Sequence, residues 1–275
     1  MSTRQARLGG ACVGGGAMLS RRINYVWRLT MTGIAFVEMG LGALILALAV
    51  IPVMTGFTRD RAARLRRAQR IIRTSFRLYV ALLRRCGVIT LQVIGEEKLS
   101  DCAGALVVAN HPTLLDVVLL MSLVPDAQCV VKHQLWRNPF LRPVVKAAGY
   151  IRNDRDPESF VEECRASLHT GRNLIIFPEG TRSVPGRPIH FQRGFAHLAT
   201  LIGSNLQPIL ITCDPVTLVK GQPWYSIPQR LPAYRIKIED QIEIRAFLTD
   251  QPRSLAARRL VAYLEARYRG ELAHA

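Results

Sequence analysis

The segment Ala109-Asn110-His111-Pro112-Thr113-Leu114-Leu115-Asp116 decides the fold of this chain. The apolar run 105–108 before it has the length and composition of a buried strand, and the apolar run 117–121 after it favours a helix. Pro112 suits the first turn of a helix, where its missing N–H would have no partner in any case. The segment is therefore predicted to be the turn between a central strand and a helix of an α/β fold.

His111 and Asp116 have the spacing of a general base and its orienting carboxylate. At the end of a strand a histidine can face a cleft, while a carboxylate one helical turn later reaches back to its ring. The imidazole would take a proton from a hydroxyl group, and the aspartate would fix its tautomer and stabilise the imidazolium. Most isolated pairs of this kind are structural or solvated, so a second signal is needed.

The second signal is the segment 177–183, Phe-Pro-Glu-Gly-Thr-Arg-Ser, which follows another apolar run at 173–176. In open α/β sheets, ligands bind beyond the carboxyl ends of the strands. Gly180 permits a backbone turn that other residues avoid, and Arg182 offers a planar fork of donors to a phosphate. The segment indicates an anion site beside the histidine.

Together the two segments resemble the motifs of the glycerolphosphate and lysophosphatidic acid acyltransferase family, Asn-His-x-x-x-x-Asp followed by Phe-Pro-Glu-Gly-Thr-Arg-Ser. The resemblance covers roughly residues 88–245. It implies an α/β fold with a mixed central sheet flanked by helices. It also implies direct attack of a hydroxyl on an acyl thioester, without a covalent acyl-enzyme. The absence of Gly-x-Ser-x-Gly and of cysteine from both motifs agrees with this chemistry.

The resemblance also implies roles for individual residues. His111 would be the general base and Asp116 its orienting carboxylate, and Asn110 and Thr113 would support them from the same turn. An acceptor-binding motif would follow, in which the arginine is expected to hold a phosphate. Its residues are Glu179, Gly180, Thr181 and Arg182.

Further basic residues are candidates for the acceptor site. Lys132 ends a predicted strand and matches a family position that faces the same cleft. Residues 149–155 read Gly-Tyr-Ile-Arg-Asn-Asp-Arg, where the family usually has Gly-x-Ile-x-Ile-Asp-Arg, so either Arg152 or Arg155 could be the headgroup arginine. Arg193 lies in a segment similar to the family's Lys-x-Gly-Ala and is a further candidate ligand.

The charge of the chain is concentrated near its amino terminus. Lys and Arg outnumber Asp and Glu by 37 to 20 over 275 residues, which gives +17. Residues 1–85 hold fifteen arginines against Glu38 and Asp60 alone, and so carry +13 of that charge. Arginines beside an apolar segment indicate anionic membrane lipids rather than nucleic acid as a partner. The alternative is an ordinary solvated face.

The six cysteines are scattered, with neither a Cys-x-x-Cys pair nor zinc-site spacing. This pattern is typical of reduced thiols in a cytoplasmic compartment, and it predicts no metal and no cofactor.

An apolar segment at 31–57 predicts a membrane anchor. Its only charged residue is Glu38, and about 20 such residues suffice to span a bilayer as a helix. The segment is compatible with two arrangements, a single span and a re-entrant hairpin with both arms in one leaflet. Arginines are more numerous after the segment than before it, which puts the following part in the cytoplasm.

Residues 60–85 repeat apolar and basic residues at helical spacing. This pattern is typical of a basic amphipathic helix in a membrane interface, and the alternative is a helix that packs on the globular domain. The predicted organisation is a poorly ordered basic amino terminus (1–30), a helical membrane anchor (31–87) and a catalytic domain (88–275).

The sequence therefore predicts a membrane-associated O-acyltransferase with a fatty acyl donor, either acyl-CoA or an acyl carrier protein. The acceptor would be a lysophospholipid, with lysophosphatidic acid converted to phosphatidic acid. The enzyme would lie at the inner, cytoplasmic membrane with its catalytic domain facing the cytoplasm. Two alternatives are an acyltransferase of an aryl-polyene, ornithine-lipid or glycolipid pathway and a non-catalytic membrane-binding relative.

Overall fold

The computed structural model describes residues 12–100, 102–131, 133–137, 142–154, 156–248 and 252–273. Seven strands form a central sheet: β1 (Thr90–Ile94), β2 (Leu106–Ala109), β3 (Ala127–Val131), β4 (Ile151–Arg152), β5 (Asn173–Ile176), β6 (Leu206–Asp214) and β7 (Ala233–Ile238). The helices are α1 (Cys12–Ile45), α2 (Ile51–Gly56), α3 (Arg61–Arg85), α4 (Asp116–Leu123), α5 (His133–Arg137), α6 (Arg142–Ala148), α7 (Pro157–His169), α8 (Gly194–Ile202) and α9 (Arg253–Ala273). A π-helical turn (Leu46–Val50) joins α1 to α2, and 3-10 turns lie at Glu96–Leu99 and Ile244–Ala246.

The strands lie in the order β1-β7-β6-β2-β5-β3-β4. Strands β6, β2, β5, β3 and β4 run parallel to one another. Strand β7 pairs with β6 in antiparallel orientation, and β1 pairs with β7 in parallel orientation. The predicted mixed sheet flanked by helices is confirmed. Val108 of β2 pairs with Ile176 of β5, three residues before His111 and Glu179 respectively. The two predicted motifs therefore leave the sheet side by side and at the same level.

Strand β2 is buried on both faces, which explains its continuous apolar sequence. Val107 and Ala109 join a core beneath α3 and α4. Leu106 and Val108 join the opposite core beneath α7, α8 and α9. The sheet is thus a rigid layer between two cores, and its carboxyl edge can hold side chains in fixed positions.

The helix after β2 begins later than predicted. The sequence favours a helix from residue 113, but α4 begins at Asp116. The backbone N–H of Thr113 donates to the Asp116 carboxylate, and that of Leu114 donates to the Leu218 carbonyl, so neither enters a helical ladder. Pro112 therefore lies in an extended turn rather than at the first helical position.

The amino-terminal region is helical from Cys12 onward. A poorly ordered stretch was predicted for residues 1–30, and residues 12–30 of it belong to α1, while residues 1–11 lie outside the described residues. No proline occurs before Pro52, so the helix can extend without interruption from the apolar segment toward the terminus. By length and composition, Leu19–Gly56 is long and apolar enough to cross a membrane.

Helix α3 turns back after α2 and packs on the globular part of the chain. Its apolar face is buried, with Ile72 against Ala148 of α6 and with Tyr79 and Leu83 in the core shared with α4. Arg73 donates to the carbonyl of Leu123 at the end of α4. The apolar face of α3 is therefore occupied by protein, as the alternative interpretation holds, and its exposed face is rich in arginine.

Candidate active site

His111 and Asp116 form the predicted pair. The distance from His111 Nδ1 to Asp116 Oδ2 is 2.8 Å, with the aspartate side chain fully buried and the imidazole 16% exposed. A carboxylate only accepts hydrogen bonds, so Nδ1 carries the hydrogen and Nε2 is the basic nitrogen. The ring of Phe177 stacks on the imidazole with 4.2 Å between centroids. His111 therefore lines a cleft with its ring oriented by Asp116 and Phe177.

Asp116 has further hydrogen-bond partners in the same turn. The N–H and the hydroxyl of Thr113 donate to its two oxygens, at 2.7 Å and 2.6 Å. Burial raises the pKa of Asp116 overall, and the hydrogen bonds from His111 and Thr113 oppose this shift. A buried carboxylate that is fixed by these donors can stabilise an imidazolium without reorganising.

Tyr234 is a part of this network that the sequence did not single out. Its hydroxyl donates to Thr113 Oγ1 at 3.1 Å, and its side chain is 1% exposed. Burial raises the pKa of Tyr234, so the phenol stays a donor. Alternating burial along β7 marks residue 234 as facing inward, but only the antiparallel pairing of β7 with β6 brings it to the catalytic turn.

Glu179 binds the backbone around His111. Its Oε1 accepts from the His111 N–H and from the Ser183 hydroxyl, both at 2.8 Å. The Ser183 N–H donates to the His111 carbonyl at 2.7 Å. Burial raises the pKa of Glu179. Glu179 is predicted to bind substrate, and in the structure its carboxylate accepts a hydrogen bond from the backbone of His111.

Asn110 joins the end of β2 to β6. Its side-chain amide donates to the carbonyl of Ile211 and accepts from the N–H of the same residue, at 2.8 Å and 2.7 Å. These two bonds continue the sheet ladder by one residue beyond the strand. The residue before His111 is thereby fixed to the neighbouring strand.

A cleft of about 650 Å³ opens in front of His111. One part of its wall is apolar, and the side chains there are Leu114, Val117, Cys129, Val130, Val131, Ile176 and Phe177. The other part is polar and contains Thr181 and Arg182 beside Gly180, whose φ of +69° confirms the predicted glycine turn. The cleft can therefore hold a hydrocarbon chain and an anionic group at once.

Arg182 has a structural contact as well as a position in the cleft. Its Nη1 donates to the carbonyls of Leu218 at 2.9 Å and Val219 at 3.1 Å. The guanidinium thus holds the segment that follows β6 and still lines the cleft.

The other predicted ligands are not brought into the cleft. Arg152 forms a bidentate ion pair with Asp154 and lies over the ring of Trp136, and it does not line the cleft. Arg193 is exposed at the start of α8 and does not line it either. Lys132 and Arg155 lie outside the described residues.

Within the described ranges, no group of three or more His, Cys, Asp or Glu side chains is arranged to hold a metal ion.

Comparison with known proteins gives consistent matches. Residues 90–212 match the family model described as Acyltransferase. Over 115 residues the chain is 35% identical to a 1-acyl-sn-glycerol-3-phosphate acyltransferase of Cocos nucifera, covering 39% of this chain and 37% of that protein. Over 130 residues it is 31% identical to the protein of the same name from Helicobacter pylori J99, covering 44% and 55%. The match therefore spans about a third to a half of the length of these relatives.

The fold matches a crystal structure of the 1-acyl-sn-glycerophosphate (LPA) acyltransferase PlsC from Thermotoga maritima. The TM-score is 0.69 at 19% sequence identity, with 90% of this chain and 97% of that chain covered. At this identity the match concerns the fold.

Proposed function

We propose that this protein is an O-acyltransferase that acylates a lysophospholipid, with lysophosphatidic acid as acceptor. The match of residues 90–212 to the family model described as Acyltransferase supports this proposal. The observation that supports this most directly is the cleft that His111 lines together with apolar side chains and Arg182. A fatty acyl chain can pack on the apolar side chains, and a phosphate can bind Arg182.

In the proposed reaction His111 Nε2 takes the proton of the acceptor hydroxyl. The oxygen then attacks the thioester carbon of the donor, which forms the new C–O bond and a tetrahedral intermediate. Collapse of the intermediate breaks the C–S bond, and the leaving thiolate takes the proton from the imidazolium. Asp116 stabilises the imidazolium throughout.

The donor in this proposal is acyl-CoA or an acyl carrier protein. Either supplies the thioester that the chemistry requires. An acidic carrier would also be attracted by a chain of net charge +17, which favours encounter more than affinity.

We also propose that α1, the π-helical turn and α2 lie along one leaflet of the membrane. The helix Leu19–Gly56 has 38 residues and is about 57 Å long, nearly twice the hydrocarbon thickness. It contacts the globular part near both ends, at Arg28, which binds carbonyls of residues 228–230, and at Ile51, which packs with Ala148. A helix fixed to one domain at both ends does not cross a bilayer, which supports a helix in one leaflet rather than a single span. Because the helix continues from Leu19 to Gly56 without reversing, this arrangement also differs from a re-entrant hairpin.

The exposed face of α1 supports this arrangement. Its apolar side chains recur every three, four or seven to eight residues and form one stripe. The stripe consists of Leu19, Ile23, Val26, Ile34, Val37, Leu41, Ile45 and Leu48. The proposed location is the cytoplasmic face of the inner membrane, where anionic lipids would meet the arginines of α3.

The experiment is acyl transfer by the purified protein in lipid vesicles, with wild type compared with His111→Ala. We expect the substitution to abolish transfer while vesicle binding persists. Unchanged transfer would exclude His111 as the base, and transfer absent from the wild type as well would favour the non-catalytic alternative.

One observation favours a specialised acceptor as the second candidate. Arg152, the expected headgroup arginine, is held by Asp154 outside the cleft. Expression in a host that lacks its own lysophosphatidic acid acyltransferase distinguishes the two. Restored phosphatidic acid supports the first proposal, and a different acylated lipid supports the second.

A further inference from the structure

The segment 215–232 between β6 and β7, here called the strap, links the amino-terminal helix to the catalytic cleft. It has an internal hydrogen-bond pattern, in which Gln222 accepts from the Val219 N–H and donates to Ser226. The strap therefore has a defined shape although it contains no strand or helix.

At one end the strap is held by α1. Arg28 is 3% exposed and donates to the carbonyls of Pro228, Gln229 and Arg230. The ring of Trp224 lies against Gly33, where an added Cβ would come within 3.3 Å of it. The centroid of the same ring is 5.9 Å from that of Phe36. A buried arginine that satisfies three carbonyls fixes this end of the strap.

At the other end the strap is held by the two catalytic motifs. The carbonyl of Leu218 accepts from the Leu114 N–H of the His111 turn and from Arg182, which also binds the carbonyl of Val219. The next residue is Lys220, and its side chain lines the same cleft as His111 and Arg182. The anchoring of the strap therefore sets the position of Lys220.

The charges of the cleft indicate what Lys220 would bind. Among the described residues that line it, the cations are Arg182 and Lys220, and none is an acid. Lys220 forms no ion pair with another described residue, whereas Arg152 is neutralised by Asp154. Two cations without a carboxylate at a solvent-accessible cleft form a site for a multiply charged anion.

We propose that Lys220 supplies a second cation to the phosphate site expected at Arg182, and that Arg182 also positions the strap that carries Lys220. The inference rests on the proposed function, since both substrates of that reaction can carry phosphate. The phosphate could belong to the phosphomonoester of the acceptor or to the CoA part of the donor. The shared chemistry is a phosphate group within reach of the lysine ammonium and the remaining guanidinium donors.

The test compares wild type with Lys220→Gln and Lys220→Arg, measuring kcat and KM separately for lysophosphatidic acid and for acyl-CoA. We expect Lys220→Gln to raise one KM about tenfold with kcat within about twofold, because a hydrogen bond to a charged group is lost. Lys220→Arg should recover most of kcat/KM. A rise for lysophosphatidic acid assigns the phosphate to the acceptor, and a rise for acyl-CoA assigns it to the donor.

Lys98→Gln is the matched control. Lys98 follows β1 and forms an ion pair with Asp240. Because β1 runs antiparallel to β2, Lys98 lies at the edge of the sheet opposite to the cleft. Both KM values should be unchanged in this variant. If Lys220→Gln is folded by its thermal midpoint and leaves both KM values within twofold of wild type, the subsite assignment is wrong.

A binding measurement separates this inference from the proposed function. Wild type in detergent micelles should bind 1-acylglycerol phosphate more tightly than 1-acylglycerol, and Lys220→Gln should lose most of that preference. If wild type shows this preference but catalyses no acyl transfer, the subsite is supported and the proposed reaction is refuted. Equal binding of both lipids by wild type would exclude the phosphate of the acceptor, and the subsite would then be overturned unless Lys220→Gln raises the KM for acyl-CoA.

Discussion

At the scale of single residues, the site is built around the fixed position of one histidine. The ring of His111 is held by Asp116 and by stacking on Phe177, and its backbone is held by Glu179 and Ser183. Contacts on the ring and on the main chain leave the imidazole little freedom. The second motif thus serves the base as well as the substrate.

Replacing Asp116 with Asn should lower kcat about 10³- to 10⁴-fold. The amide is nearly isosteric but cannot stabilise an imidazolium or fix the tautomer with Nε2 basic. Steady-state kinetics with the variant in vesicles measures the effect.

Asp240→Asn is the control, since Asp240 is exposed and paired with Lys98 far from the cleft. A loss below about tenfold in Asp116→Asn would mean that the carboxylate does not support the base.

Replacing Tyr234 with Phe should lower kcat about threefold to tenfold and destabilise the protein by about 1 kcal/mol, because Thr113 loses a buried donor. Kinetics and thermal unfolding measure the two effects. Tyr225→Phe, at a residue that is 58% exposed, should change neither. Wild-type kcat in Tyr234→Phe would separate Tyr234 from the catalytic network.

At the scale of elements, α1 presents two faces with different partners. The inner face contributes Ala35 to a protein core, and Ile51 of α2, which continues the helix, contributes to another. On the outer face, Val37 and Leu41 are 61% and 56% exposed. A regular apolar stripe that no described residue covers is typical of a helix lying in a membrane interface. In the proposed arrangement, the helix would couple the bilayer to the strap through Arg28.

Introducing Asn at both Val37 and Leu41 should weaken binding to lipid vesicles about tenfold to a hundredfold. Each substitution removes apolar surface that the interface would bury, at about 25 cal/mol per Å². Flotation or sedimentation with vesicles measures the partition coefficient. Leu255→Asn on α9, which is 40% exposed, is the control and should bind as wild type does. Equal binding by the double variant would exclude the outer face of α1 as the membrane contact.

At the scale of the whole molecule, charge is distributed in accord with a membrane-facing side. Residues 1–85 carry fifteen of the arginines, and in α3 most of them are exposed. In the proposed arrangement, these arginines would attract anionic lipid, at about 1 kcal/mol per basic residue near the surface.

Binding should therefore favour vesicles with anionic lipid over zwitterionic ones and should weaken as salt is raised from 0.1 M to about 1 M, because the Debye length falls from about 10 Å to about 3 Å. Arg66→Gln with Arg70→Gln should reduce the preference. The control pair, Arg253→Gln with Arg258→Gln on α9, should not. Binding that ignores both lipid charge and salt would refute an electrostatic contribution.

The sequence by itself determined the elements that local pattern controls. Apolar runs of four residues marked β2 and β5, and helical spacing marked α3. The motifs predicted the pair of His111 and Asp116, whose side chains are 2.8 Å apart in the structure.

Only the tertiary structure decided the contacts between distant segments. Strand order brought Tyr234 to Thr113 across 121 residues, and the strap brought Lys220 into the cleft beside Arg182. It also turned Glu179 toward the backbone of His111 and left Arg152 paired with Asp154. The physical reason is that periodicity and spacing act within an element, whereas these side chains take their roles from the pairing of strands and the closing of loops, which no local pattern encodes.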